Sequence, residues 1–216
     1  MSTRRTIDGA AAGRAAAGRA ETKAGTSAPM RAAERIRRTA GELFYREGIR
    51  AVGVDEIVAR AGVTKPSLYR SFPSKDALAG ACMADYDAEY WRRFDAVAAA
   101  FPGDPRGQVL AFFRDAASRA VRPGYRGCGM TNAVVEYPDE PDHPVRVVSE
   151  ANKRKLRARL RALAAEMGAA NADALGDGLL LLLEGTYASG QVFETDGPAI
   201  ALVEAADRLI DAFVRG

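Results

Sequence analysis

Residues 54–75 read VDEIVARAGVTKPSLYRSFPSK, and the reading of this stretch decides the reading of the chain. Ile57, Val58 and Ala61 share one face of a short helix, with Asp55 and Glu56 in its first turn, where negative charge complements the exposed N–H groups. Gly53 stands at the N-cap, without a side-chain oxygen to offer. Ala61, Gly62 and Val63 form a tight turn in which Gly62 can adopt a positive φ. Thr64 caps the next helix, and Pro66 sits in its first turn, where a missing N–H costs nothing. Leu68 and Phe72 face inward, which leaves Lys65, Pro66, Ser67, Tyr69 and Arg70 pointing outward. Such a surface suits a wet, negatively charged groove.

Upstream, Ile36, Ala40, Leu43 and Phe44 recur at the spacing of one buried helical face, and Gly48 ends that helix. Ser27 and Pro29 mark its start; Arg31, Arg35 and Arg38 lie opposite the apolar face, either as solvated surface or near phosphates. Residues 1–28 are rich in Ala, Gly, Arg, Ser and Thr and predict a disordered basic arm. Residues 1–76 carry 15 Lys and Arg against 8 Asp and Glu, and the remainder 16 against 20. A basic first third before an acidic remainder points to a polyanion at one end only.

Downstream, Pro73 breaks the chain, Ser74 can cap, and Lys75 opens a long helix reaching Phe101. Its stripe of Leu78, Cys82, Tyr86, Tyr90, Phe94, Val97 and Phe101 follows i, i+4 spacing. Val109, Phe112, Phe113 and Ala116 mark a fifth helix, and Met130 to Val135 a short apolar segment between loops. Asp142 is placed to cap a helix from Val145 to Met167, whose Lys153, Arg154, Lys155, Arg157, Arg159 and Arg161 read as a solvated face. Asn171 or Asp173 opens a helix that is apolar nearly all round and is expected to be buried on all sides. Val203, Ala206, Ile210 and Phe213 line a last helix over 200–214. Two such helices at the end of a small domain are best explained by pairing with their copies in a homodimer.

Two cysteines, Cys82 and Cys128, make no disulfide framework and no zinc motif, which points to the cytoplasm. No membrane partner is expected, because the densest apolar run, Leu179 to Leu183, is far shorter than the roughly 20 residues of a span. The two thiols could sense redox state, though small buried cysteines are commoner. His143, with Glu136, Asp139 and Asp142 near it, could form an oxygen-rich metal site, but a loop with a helix cap explains these residues more simply, and no metal or cofactor is expected. An enzyme would need a nucleophile, acid or base constellation, and one histidine with no nucleophile elbow or phosphate loop supplies none.

The segment from Ile36 to Leu78, and above all AVGVDEIVARAGVTKPSLYRSFPSKDAL at 51–78, resembles the DNA-binding domain of the TetR family of transcriptional regulators, with the turn, the Leu-Tyr-x-x-Phe signature and the Ser-Lys helix start at the family's spacing. The stretch GCGMTNAVVEYPDEPDHPVR at 127–146 resembles the effector domain of one branch. The resemblance implies an all-α fold: a three-helix helix-turn-helix domain, here residues 29–76, followed by a larger helical ligand-binding and dimerisation domain, residues 77–216. It also implies that Thr64, Tyr69 and Lys75 bind phosphates while Lys65, Pro66, Ser67 and Arg70 face bases or the groove wall. Gly53, where the family favours Ser or Thr, and Gly41 in the first helix depart from the pattern; the latter costs roughly 1 kcal/mol in propensity against Ala.

The expected function is therefore a homodimeric repressor, released from a double-stranded DNA operator by a small-molecule effector. A structural DNA-binding protein without sequence preference, or an enzyme acting on the pocket ligand, are the alternatives. For the effector pocket the residues expected are Trp91, Phe94, Phe112, Phe113, Met130, Asn132, Glu136, Glu184 and Tyr187: aromatics for packing, and polar groups that must find partners in apolar surroundings. Aromatics with carboxylates would suit a planar or cationic ligand.

Overall fold

The computed structural model describes residues 31–214. The predicted arm and the helix start at Ser27 and Pro29 lie outside them. Nine α-helices and two 3-10 turns, with no strand, make up the described residues. The first helices are α1 (Ala32–Glu47), α2 (Val54–Ala61) and α3 (Lys65–Ser71), followed by the long α4 (Lys75–Ala98). Then come α5 (Pro105–Ala120), the short α6 (Gly129–Glu136), α7 (Pro144–Glu166), α8 (Ala172–Phe193) and α9 (Leu202–Val214). Among the described residues, no helix is long and apolar enough to cross a membrane.

The head forms for the reasons its sequence suggests. Ile36, Ala40, Leu43 and Phe44 of α1, Ile57, Val58 and Ala61 of α2 and Leu68 of α3 are buried together. Gly62 ends α2 in the left-handed region, at φ 63°, where a side chain would be strained. Its N–H and that of Val63 close the last turn of α2. Phe72 lies at the edge of this core and is only half-buried.

The rest of the chain corrects several expectations. α4 stops at Ala98, three residues short of Phe101, because the chain turns at 99–103 and Asp104 caps α5 by accepting from Gly107 N at 2.8 Å. A straight i, i+4 stripe drifts around a helix of 3.6 residues per turn. Accordingly Ala79, Met83 and Trp91 are buried on α4, while Cys82, Tyr86 and Val97 are half-buried. Residues 129–136 form a true helix, α6, with Met130 and Ala133 inward and Val135 73% exposed. Asp142 does not cap α7; His143 does, its Nδ1 accepting from Val145 N at 3.4 Å.

The cations of α7 are not a simple solvated face. Arg157 and Arg161 both clamp Asp177 of α8, and their hydrogen bonds hold its carboxyl well below the usual carboxylate range. Lys155 covers the Trp91 ring at 4.0 Å, and Lys153 turns inward. These helices cross closely at Gly176, where a Cβ would lie 2.7 Å from Arg161 Cα.

α8 is not buried on all sides in the single chain: Leu181 is 72% exposed. The last helix begins at Leu202 rather than residue 200, with Ile200 exposed in a 3-10 turn.

Candidate nucleic-acid interface and effector site

The outward face of α3 is built from the residues the sequence singles out. Thr64 Oγ1 accepts from Ser67 N at 3.4 Å and fixes the start of the helix. Lys65, Pro66, Tyr69 and Arg70 are exposed, Tyr69 by 49% although its ring is large and apolar. Arg70 Nη2 donates to Ser67 Oγ at 3.4 Å, so these two side chains share one face. Lys65 Nζ pairs with Asp55 Oδ1 at 2.7 Å, and this hydrogen bond holds the exposed ammonium above its ordinary value. Lys75 lies at the start of α4, whose cap is Ser74, and its Nζ donates to Arg50 O at 3.3 Å. Together these groups place donors and one aromatic ring on a solvent-facing surface, which is what phosphate and base-edge contacts require. Gly53 leaves α2 without a side-chain cap.

The expected effector residues fall into three places. Trp91, Phe94, Phe112 and Phe113 form a buried aromatic chain with Tyr90, successive ring centroids lying 4.7–6.4 Å apart. Glu184 and Tyr187 of α8 lie in a polar interior that includes Thr131 of α6 and Lys153 of α7. Glu184 accepts from Thr131 Oγ1 at 2.8 Å and pairs with Lys153. Lys153 also donates to Cys128 Sγ at 3.4 Å and sits 5.3 Å from the Tyr187 ring centroid. The Tyr187 and Tyr90 hydroxyls are 3.3 Å apart, and burial pushes both phenols up. Met130 is fully buried in the same core cluster.

Asn132 and Glu136 are elsewhere, because on α6 they point away from the buried Met130 and Ala133. Asn132 Nδ2 donates to Arg126 O, and Glu136 Oε2 accepts from Arg50 N at 2.9 Å. Glu136 thus joins α6 to the head, where Arg50 also covers the Tyr137 ring at 4.6 Å and pairs with Glu140. Tyr137 stacks on His143 at 3.8 Å, and His143 Nε2 lies 3.4 Å from Asp76 Oδ1. Among the described residues, no group of three or more His, Cys, Asp or Glu side chains could hold a metal ion.

Some of these partners escape a linear reading. Lys153, Thr131 and Tyr90 become recognisable as partners only once α4, α6, α7 and α8 are packed. Tyr45 of α1 is another: its hydroxyl donates to Gly127 O and accepts from Arg126 N, each at 3.1 Å. Nothing in its sequence position marks it out. An open cleft of about 270 Å³, lined by Asp104, Pro105, Arg106, Glu166, Met167, Ile210 and Val214, lies where the start of α5 and the end of α7 meet α9 and contains none of the expected effector residues.

Residues 36–82 match the sequence profile of bacterial regulatory proteins of the tetR family. No curated protein matches the chain in sequence. Among solved structures, a TetR-family transcriptional regulator from Streptomyces coelicolor is 33% identical with a TM-score of 0.80, the match covering 85% of this chain and 96% of that one. A putative TetR transcriptional regulator from Streptomyces avermitilis is 30% identical with a TM-score of 0.76, covering 85% and 98%. The regulatory protein TetR from Rhodobacter sphaeroides is 26% identical with a TM-score of 0.71, covering 82% and 98%. With a helix-turn-helix head, a helical second domain and this likeness over nearly the whole length of its relatives, the chain belongs to the TetR family of DNA-binding transcriptional regulators, which are not enzymes.

Proposed function

We propose that this regulator is a homodimeric repressor released from its operator by a small molecule. Its head, residues 29–76, would use Thr64, Tyr69 and Lys75 on phosphates and Lys65, Pro66, Ser67 and Arg70 on bases or the groove wall. The observation that carries the DNA contacts is the exposed outer face of α3, where Tyr69, a large aromatic, is 49% exposed. Dimerisation through α8 and α9 would cover the exposed Leu181 and bring two heads to successive major grooves, roughly 34 Å apart. Basic residues in the N-terminal arm would add sequence-independent contacts.

The effector half, residues 77–216, would bind its ligand among Trp91, Phe94, Phe112, Phe113, Met130, Glu184 and Tyr187. Asn132 and Glu136 serve better in coupling that site to the head. α6 supports this role: Thr131 near its start pairs with Glu184, and Glu136 at its end holds Arg50 N, while Lys75 donates to Arg50 O. Ligand and operator must then oppose each other reciprocally, each weakening the other's binding by the same factor.

Selection of bound duplexes from a random pool tests the reading. A regulator should yield a near-palindromic site preferred over random duplex by at least about a thousandfold. Equal affinity for all duplexes would replace it with a structural DNA-binding protein.

A further inference from the structure

We infer that the effector is an organic carboxylate, anchored inside residues 77–216 by Arg119 and Tyr125. The inference rests on the ligand-responsive reading above and gives it a chemical class. Arg119, in the last turn of α5, is largely buried, and its Nε donates to Asp115 Oδ2 at 3.0 Å. Its Nη2 is buried without an acceptor, and so is the hydroxyl of Tyr125, in the loop between α5 and α6. The two belong to one neighbourhood, since Gly190 of α8 packs against both Tyr125 and Ala120, the residue next to Arg119. A buried donor without an acceptor costs about 1–3 kcal/mol, so two together mark a place where an acceptor is meant to arrive.

The chemistry of that acceptor follows from its surroundings. Asp115 engages Arg119 through Nε and leaves Nη2 unused. Glu184, the other carboxylate of this interior, is matched by Lys153. A guanidinium edge and a phenol hydroxyl in one neighbourhood suit a carboxylate, which accepts from both. α8 leaves room for the Tyr125 ring at Gly190, where a Cβ would stand 2.9 Å from Tyr125 Cε1 and 2.8 Å from Ala120 O.

The position also connects to the head. Tyr45 of α1 holds the loop carrying Tyr125 at Arg126 and Gly127, and Tyr86 OH of α4 accepts from Gly129 N at 3.2 Å. A carboxylate that draws Tyr125 toward Arg119 pulls on a segment gripped by both helices that lead to DNA.

The test measures calorimetric binding of benzoate, 1-naphthoate and decanoate, with 1-naphthamide as the uncharged control, and release of a selected operator duplex by each. We expect at least one carboxylate to bind and 1-naphthamide to bind at least about tenfold more weakly than 1-naphthoate. Arg119→Gln should weaken carboxylate binding by about tenfold or more and Tyr125→Phe by about threefold, with Arg119→Lys falling between wild type and Arg119→Gln. Tyr125→Phe and Arg119→Lys keep the test decisive if Arg119→Gln fails to fold. Failure of all three acids to bind, equal binding of acid and amide, or indifference to Arg119→Lys and Tyr125→Phe would overturn the anion site. Carboxylate binding through Arg119 without operator release would keep the site and overturn ligand-controlled repression. Operator release by uncharged compounds, unaffected by these variants, would do the reverse.

Discussion

On α3, Lys65, Tyr69 and Arg70 stand in solvent, and the hydrogen bonds they make are local and exposed. On α6, α7 and α8, Thr131, Lys153, Glu184 and Tyr187 turn inward and satisfy one another across three helices. The two regions have opposite economies of polar groups. The head packs on an apolar core and keeps its polar side chains at the surface, where pairs such as Lys65 with Asp55 are exposed. The second domain builds polar side chains into its own structure, so each one affects stability. Substitutions should therefore separate: outward ones in the head change DNA affinity at constant stability, and inward ones in the second domain change stability first.

The largest expected difference is alkaline. Burial raises the phenols of Tyr86, Tyr90 and Tyr187 well above the ordinary value of 10.0, and all three are in the second domain. Folded-state values above the unfolded ones mean that the native state keeps protons the unfolded state loses, so the contribution is intact below pH 10 and declines above it. At pH 11 each such tyrosine takes about 1.4 kcal/mol from stability, on the order of 4 kcal/mol for three, relative to pH 8. Urea unfolding between pH 8 and pH 11 measures it. A flat profile would mean these phenols are not buried, and Tyr187→Phe should make the slope shallower.

Next comes the Lys153–Glu184 pair, whose side chains are only 21% and 27% exposed. Lys153→Met strands a carboxylate and should cost about 3 kcal/mol, whereas the double change Lys153→Met with Glu184→Gln should recover most of it. If the single variant melts like wild type, this interior is wetter than its geometry indicates.

The difference between the regions also governs what could be read in advance. The head is legible because its signals are local: Gly62 in its turn, Thr64 as cap and Leu68 inward are all fixed by neighbours a few residues away. In the second domain the buried aromatics Phe94, Phe112 and Phe113 are legible from period alone, but the partners of Glu184 lie 53 and 31 residues away. No local pattern distinguishes Lys153, turned inward, from Arg154, exposed beside it. The same limit hid the partners of Asn132 and Glu136, since the spacing of an eight-residue helix does not say which neighbour each face meets.

Smaller effects are expected on the reading face. Lys75→Ala should weaken binding to every duplex by roughly tenfold and reduce the magnitude of the salt slope by about 1, as loss of one phosphate contact does. Arg70→Ala should instead cost about 1–3 kcal/mol mainly on the preferred site and relax preference at one base position. Melting temperatures should stay at the wild-type value in both. Loss of stability with either variant would show that the face is structural.

The finest test places the same substitution in both regions. Gly41 in α1 faces Cys82 of α4, and a Cβ there would meet Cys82 Cβ at 3.9 Å, an ordinary contact. Cys82 itself is held in place, its Sγ donating to Arg37 O at 3.3 Å, and burial pushes its thiol up to about 12. Gly41→Ala therefore gains helix propensity without a clash and should stabilise the protein by about 1 kcal/mol, with operator affinity unchanged. Gly176→Ala gains the same propensity, but its Cβ would stand 2.7 Å from Arg161 Cα and 2.7 Å from Arg161 N, backbone atoms that cannot swing aside. Separating α7 from α8 there also loosens the double clamp on Asp177, and the net effect should be a loss of about 1–2 kcal/mol. Opposite signs in parallel urea titrations would show that the head has slack where the second domain has none. Equal signs would mean that both halves are packed to the same tolerance, and that the contrast between them is confined to their polar groups.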